Sequence, residues 1–241
     1  MMLQKNPVTM TGTLRRCWLF AYRTPPAQAQ RFLPRPLELV THNGYAFWNI
    51  VVCQLEHMRP QGVPPLLGIG YWHVAYRLYV RLSLPGQERI EGLYFVRSDC
   101  NSRLITVAGN ILTDFHFHTA AISTSQKGDV FEIGISSTPM PAHVCLLLNT
   151  PPQHTVDSAF ATLEEAEAFL KYEPYGISVG RSNRANVVHV TRKEADWHSQ
   201  ARYVEQAHWA FFAAQDVALE LCTEVDHIAY QWDRGRVYQL T

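Results

Sequence analysis

The stretch Tyr45–Met58 reads YAFWNIVVCQLEHM and constrains the fold more than any other. Its apolar positions run almost unbroken and are rich in Trp, Phe, Ile and Val. Such side chains crowd a helix at χ1 and fit a pleated, buried surface, which argues against a helix here. Asn43-Gly44 turns the chain into this run, and a loop rich in Pro and Gly, 60–70, leads out of it. Similar segments flank it. Arg15–Arg23 (RRCWLFAYR) reads as an aromatic-rich strand broken at Thr24-Pro25-Pro26. Ala27–Leu33 reads as a short helix stopped by Pro34 and Pro36. Tyr71–Leu84 and Arg89–Arg97 read as a hairpin across Pro85-Gly86.

Further along, Leu104–Leu112 reads as a short helix capped near Asn101 or Ser102. Asp114–Thr124 alternates like a strand, and Lys127-Gly128-Asp129 turns into a strand at Val130–Ser136. Ala142–Leu148 is a further apolar strand. After Pro151-Pro152, Thr162-Leu163-Glu164-Glu165 is a capping-box pattern that opens a helix to about Lys171. Ile177–Val179 and Val187–Val190 read as strands. Ala201–Leu221 reads as helical for part of its length, and His227–Leu240 as a hairpin around Asp233-Arg234-Gly235-Arg236. Many strands at short spacing with few helices predict a mainly β protein, an antiparallel barrel or sandwich. We expect one domain over residues 1–241, because the strands after Pro152 are too short for a core of their own.

Composition narrows the function. Lys plus Arg equals Asp plus Glu, at 21 each, so the chain lacks the basic excess of a nucleic-acid binder. Arginine nonetheless far outnumbers lysine, of which there are only Lys5, Lys127, Lys171 and Lys193. Arginine grips carboxylates with two prongs and keeps its charge when buried, so the bias fits anion binding as well as a source-wide preference. The cysteines are Cys17, Cys53, Cys100, Cys145 and Cys222, with no CxxC pair, which fits a reducing cytoplasm. No signal peptide and no membrane span is expected.

Two segments resemble acetoacetate decarboxylase. Tyr22-Arg23-Thr24, followed by Ala29, Arg31, Leu33-Pro34 and Pro36-Leu37-Glu38, is similar to the family's strand end and the helix after it. Glu91-Gly92 through Arg103 sits where the family carries its reactive strand end. The wider pattern from Arg15 to about Ile135, and more weakly from Ala161 to Trp197, resembles the YqjF-like group of this superfamily. The resemblance implies an antiparallel β-barrel or cone with an internal pocket and a few peripheral helices, and the family's tendency to assemble leaves a homo-oligomer open. In the decarboxylase a lysine, activated by a neighbouring cation, forms a Schiff base with a keto acid. Here the corresponding Arg97-Ser98-Asp99-Cys100-Asn101 has no lysine, and none of the chain's lysines lies in an apolar setting that would depress its pKa. A Schiff-base decarboxylase is therefore disfavoured. The family's carboxylate-holding arginine on the first strand corresponds to Arg15, with Arg16 pointing to the opposite side.

Arg97, Asp99 and Arg103 form the densest polar cluster in an apolar region. In a strand Arg97 and Asp99 share a face, where an arginine beside an aspartate can fix a ligand anion or simply close a structural ion pair. The expected site is Asp99 and Arg97 for chemistry, with Arg15, Arg97, Arg103 and Tyr94 holding the substrate. Asp114, His116 and His118 alternate along one strand face, which is a metal-ligand pattern. The alternation also makes Phe115 and Phe117 the core face and wets the other three, so no metal and no cofactor is expected. The resulting expectation is a small-molecule-binding protein acting on a small carboxylate or carbonyl compound, a lyase or hydratase without a Schiff base. The alternative is a non-catalytic carrier or sensor. Converging Arg, Asp and His side chains favour the first, and a purely apolar wall favours the second.

Overall fold

The computed structural model describes every residue except 1–4, 85, 87, 153–154, 172, 181–183, 193–197 and 241. The apolar run that opens the argument is strand β4 (Tyr45–Pro60). It lies between β1 (Met10–Thr24) and β5 (Ile69–Leu82), and β5 pairs in turn with β6 (Ile90–Cys100). Between β1 and β4 come α1 (Pro26–Ala29), β2 (Leu37–Leu39) and β3 (Thr41–His42). Asn43 and Gly44 both have positive φ, 47° and 83°, which is the backbone that closes a two-residue hairpin between β3 and β4.

After β6, helix α2 (Arg103–Leu112) starts where Ser102 Oγ accepts from the Ile105 N–H at 3.3 Å. Lys5 closes its other end, with Nζ donating to the carbonyls of Ile111 and Thr113 at 3.1 Å each. Next come β7 (Phe117–Thr119), β8 (Ala121–Lys127), β9 (Val130–Ser136) and β10 (Ala142–Leu147). The N-cap forms, with Thr162 Oγ1 accepting from the Glu165 N–H at the start of α3 (Leu163–Phe169), while the Glu165 carboxylate accepts from the Ala161 N–H instead of closing the box on Thr162. The chain continues through β11 (Tyr175–Gly180), β12 (Arg184–Arg192), β13 (Gln200–Ala201), β14 (Tyr203–Trp209), β15 (Ala218–Trp232) and β16 (Arg236–Gln239).

Among the described residues these strands make two sheets, one of twelve strands and one of four in the order β14-β10-β9-β8. The large sheet curls: β15 pairs with β1 at one side and with β12 at the other. It is a curled sheet rather than a regular barrel, because β15 meets β12 over only three residue pairs, Val190–Arg192 with Trp232–Tyr230. Its even-numbered face on β1, β4 and β5 carries Trp18, Phe20, Trp48, Ile50, Tyr76 and Leu78 and packs against Phe131, Ile133 and Val144 of the small sheet. The opposite face carries Cys17, Leu19, Val51, Cys53, Ala75 and Phe95, with Phe115 packed on it. The same face continues to Ala21, Phe47, Tyr79 and Leu93, where Phe160, Ala166 and Leu170 cover it. Among the described residues no helix is long and apolar enough to cross a membrane.

Three expectations need correction. Residues 201–221 are β13, β14, a 3-10 turn at Ala210–Phe212 and the start of β15, because pairing of β14 with β10 and of β15 with β1 overrides the local helix signal. Strands β15 and β16 do not form a hairpin; both pair with β12, so that β16 continues the line of β15. Residues 114–124 are not one strand. His116 has φ of 54°, and the chain then steps from β7 on the large sheet to β8 on the small one.

Strands β6 and β11 run parallel, and Gly92 of β6 lies close against Tyr175 of β11. A Cβ there would lie 2.5 Å from the Tyr175 carbonyl oxygen. Gly92→Ala is therefore expected to lose about 1–3 kcal/mol, the usual cost of overpacking. A urea midpoint equal to that of the parent chain would contradict the close approach.

Candidate functional site

Arg97 and Asp99 lie near the end of β6, opposite Tyr76 and Val74 of β5, and so face the small sheet. A bulge in β6 at Val96 sets this geometry. It brings Tyr94 and Arg97, three residues apart, to the same face. Arg97 Nη2 lies 2.8 Å from Asp99 Oδ1 and donates to Ser137 Oγ at 2.8 Å. Ser137 Oγ in turn donates to Asp99 Oδ1 at 3.1 Å. Asp99 is fully buried and Arg97 is 9% exposed, so the pair sits away from bulk water. The Tyr76 ring packs on Phe211 at 4.5 Å, and its phenol is pushed well above the usual range by burial and then by the nearby Asp99 charge. Arg97 Nε has no hydrogen-bond partner among the described residues, and Asp99 Oδ2 and the Tyr76 hydroxyl make no close one, although the two groups are near enough to interact.

The other expected residues lie differently. Tyr94 is buried on the same face, and its phenol is pushed up to about 12 by burial and by the charge of Asp114. Arg103 is exposed at the start of α2. Arg15 is exposed at a register shift in β1, between Leu14 and Arg16. Its neighbour Arg16 is the more enclosed of the two. Arg16 lies over the rings of Trp18 and Phe131, at 4.8 and 4.4 Å, and pairs with Glu224 at 3.1 Å. Arg202 grips the other oxygen of Glu224 at 2.6 Å. Asp114, His116 and His118 do not share a strand face. Asp114 is 3.3 Å from Lys5, and the described residues hold no group of His, Cys, Asp and Glu able to bind a metal ion. Phe115 is core and Phe117 is half-buried, although the strand alternation that predicted both does not hold. Lys5 is thus tied to α2 and Asp114 rather than loose at the terminus, Lys127 and Lys171 are exposed, and Lys193 lies outside the described residues.

Sequence reasoning missed a second polar line on the opposite face. In register across the strands, Cys17 faces Cys53, Cys53 faces His73 and His73 faces Cys100. The Cys53 thiol is pushed down by the neighbouring Cys17, against its burial, with His73 and the Arg77 charge helping. Arg77, also buried, donates to Asn49 Oδ1, and Asn49 Nδ2 donates to the Tyr79 hydroxyl at 2.8 Å. Beyond this line, at the end covered by α2, lies a cavity of about 150 Å³ bounded by Met10, Met58, Tyr71, Ile105, Phe117 and Trp232, among others. The signal for it was the spacing of Ile105, Ala108, Gly109 and Leu112, one face of a helix, which all line the cavity.

Comparisons with known proteins agree with this architecture. The model of the family DUF2071, described as an uncharacterized conserved protein, matches residues 11–236. No curated protein matches the chain. An acetoacetate decarboxylase-like enzyme from Sphingomonas wittichii RW1 superposes with a TM-score of 0.62 at 11% identity, covering 98% of this chain and 94% of that one. Acetoacetate decarboxylase from Legionella pneumophila gives a TM-score of 0.60 at 12% identity, over 96% and 88% of the two chains. The enduracididine biosynthesis enzyme MppR, in complex with pyruvate, gives 0.55 at 14% identity over 98% and 91%. The fold is that of the acetoacetate decarboxylase-like proteins.

Proposed function

The chain belongs to the DUF2071 family, and we propose that it binds a small carboxylate or carbonyl compound at Arg97, Asp99, Ser137 and Tyr76. The observation that carries this reading is the buried cluster of Arg97, Asp99, Ser137 and Tyr76, in which Arg97 Nε, Asp99 Oδ2 and the Tyr76 hydroxyl make no close hydrogen bond. A buried polar group left unmet costs about 1–3 kcal/mol. A short 2-keto or 2-hydroxy acid offers a partner to each. Its carboxylate accepts from Arg97 Nε and the Tyr76 O–H, and its hydroxyl, or that of the hydrated ketone, donates to Asp99 Oδ2. The complex of MppR with pyruvate supports the same ligand class.

In this reading Arg97 holds the anion, and Asp99 is the acid or base of a lyase- or hydratase-type reaction. The stretch 97–101 offers no amine for a Schiff base. The second reading, a carrier or sensor, is favoured by the full burial of Asp99, which suits a group that binds rather than one that exchanges protons with solvent.

Thermal unfolding in the presence of pyruvate, lactate and acetoacetate tests the proposal. A ligand held at about 100 times its dissociation constant adds roughly 2.7 kcal/mol to the native state, which raises the midpoint by a measurable amount. Tyr76→Phe removes only the hydroxyl and is expected to weaken binding several-fold while the chain still folds. The proposal fails if no acid raises the midpoint, or if Tyr76→Phe and Asp99→Asn both bind as the parent does. Consumption of the bound acid, followed by NMR, separates the enzyme from the carrier.

A further inference from the structure

We propose a second binding site, separate from the Arg97 cluster: the cavity beneath α2 takes a neutral, largely apolar molecule about the size of benzene that carries a hydrogen-bonding oxygen. The cavity is about 150 Å³. A cavity of that order admits a benzene ring. Its walls come from both sides of the fold. Met10, Met58, Tyr71 and Trp232 stand on the large sheet, and Ile105, Ala108 and Leu112 come down from α2.

The wall is not purely apolar, and its exceptions point to a ligand. His73 Nε2, Trp232 Nε1 and Asn6 Nδ2 all belong to residues lining this cavity, and none has a hydrogen-bond partner among the described residues. His73 is only 7% exposed. Its ring stacks on Phe117 at 5.3 Å, and it lies opposite Cys53 across β4 and β5. The Trp232 indole can only donate, and an amide nitrogen donates too, so the missing partner is an acceptor. A ligand oxygen supplies it.

Charge decides between a neutral ligand and an anion. Among the described residues no lysine or arginine lines the cavity, while Asp233 does. Asp233 is engaged by Gln231 Nε2 at 2.6 Å and His189 Nδ1 at 3.1 Å, so it remains a fixed feature of the wall. A carboxylate ligand would lose its hydration there, gain no cation and face a like charge. An aryl ketone, ester or amide meets none of these penalties.

Two of the lining residues are methionines, and they give a direct readout. With ¹³C-methyl-labelled methionine, acetophenone is expected to shift the Met10 and Met58 methyl signals saturably and to leave Met140, which packs on the core between the two sheets, in place. Toluene, which has the ring without the acceptor, should bind more weakly, and benzoate should not bind. Trp232→Phe is expected to weaken acetophenone roughly three- to tenfold and leave toluene unchanged. Ala108→Leu, which fills the cavity from the helix side, should abolish both. The site is refuted if acetophenone leaves Met10 and Met58 unmoved, if benzoate binds as well as acetophenone, or if toluene and acetophenone bind alike in the parent and in Trp232→Phe. Pyruvate serves as the independent probe of the Arg97 cluster, so failure at one site leaves the other standing.

Discussion

Replacing Arg97 by methionine is expected to remove about 3–5 kcal/mol of folding stability, although it takes away a single charge and keeps most of the side-chain volume. The loss comes from what stays behind. Asp99 is fully buried, and its Oδ1 is held by Arg97 at 2.8 Å and by Ser137 at 3.1 Å. Without the guanidinium, one serine hydroxyl is left to stabilise a carboxylate that burial has cut off from water. The desolvation of that charge exceeds what one neutral hydrogen bond returns. The double variant Arg97→Met/Asp99→Leu removes both charges and is expected to recover most of the loss, since buried ion pairs are often matched by apolar residues of similar size. Urea unfolding of the four chains of this cycle measures the coupling. If Arg97→Met alone costs less than about 1 kcal/mol, the pair is not the closed, water-excluded unit described above. The same double variant should lose binding of short keto acids, which separates the role of the pair in the fold from its role in the proposed site.

Trp48→Ala carries the other large expected effect, again about 3–5 kcal/mol. Trp48 is fully buried and makes edge contacts with Phe32 and Phe211, both at 5.1 Å, and with Phe212 at 5.7 Å. It therefore joins β4 to the turn after α1 and to the 3-10 turn after β14, three segments that no backbone ladder joins to one another. Alanine leaves a cavity that three rings must collapse to fill. Trp48→Phe is expected to lose much less. It keeps an aromatic body in the slot and removes an indole N–H that has no partner among the described residues. Leu66→Ala, at a side chain 92% exposed, should change stability by no more than about 0.5 kcal/mol. Equal losses at Trp48 and Leu66 would contradict the packing.

The features legible in the sequence were those whose causes are local. Asn43-Gly44 dictates its turn through backbone freedom, Ser102 and Thr162 cap their helices three residues away, and Tyr45–Met58 is too β-branched and aromatic for a helix. Tyr22-Arg23-Thr24, which carries much of the family resemblance, has a structural explanation. Tyr22 accepts from Trp209 Nε1 at 2.7 Å, Arg23 pairs with the buried Glu220, and Thr24 Oγ1 donates to the Asp216 carbonyl at 2.9 Å. A motif that locks the fold recurs wherever the fold does, whatever the chemistry inside.

What stayed hidden depends on partners far away in the chain. Residues 201–221 look partly helical alone and become strands only because β1 and β10 offer them ladders. The bulge at Val96, which puts Arg97 and Tyr94 on one face, leaves no local mark, and Ser137, which completes the cluster, arrives from the far end of β9. Arg15 was placed by the family resemblance, and the structure sets it, exposed, at a register shift between β1 and β4 that no local sequence signal marks. The cavity under α2 needed Asn6, His73 and Trp232 together, which no window of sequence contains.

The pairing of β1 with both β4 and β15 has a consequence for how the chain is made. Met10 lies opposite Pro60 on one side and Trp232 on the other. During synthesis, at roughly 5–20 residues per second, the first neighbour is present within seconds and the second only after tens of seconds. For that interval one border of β1 is an open template for any passing strand, and its two faces, Trp18 and Phe20 among them, wait for cover. A ribosome-bound chain of this design keeps that border of its first strand unpaired until the late strand arrives and seals the seam.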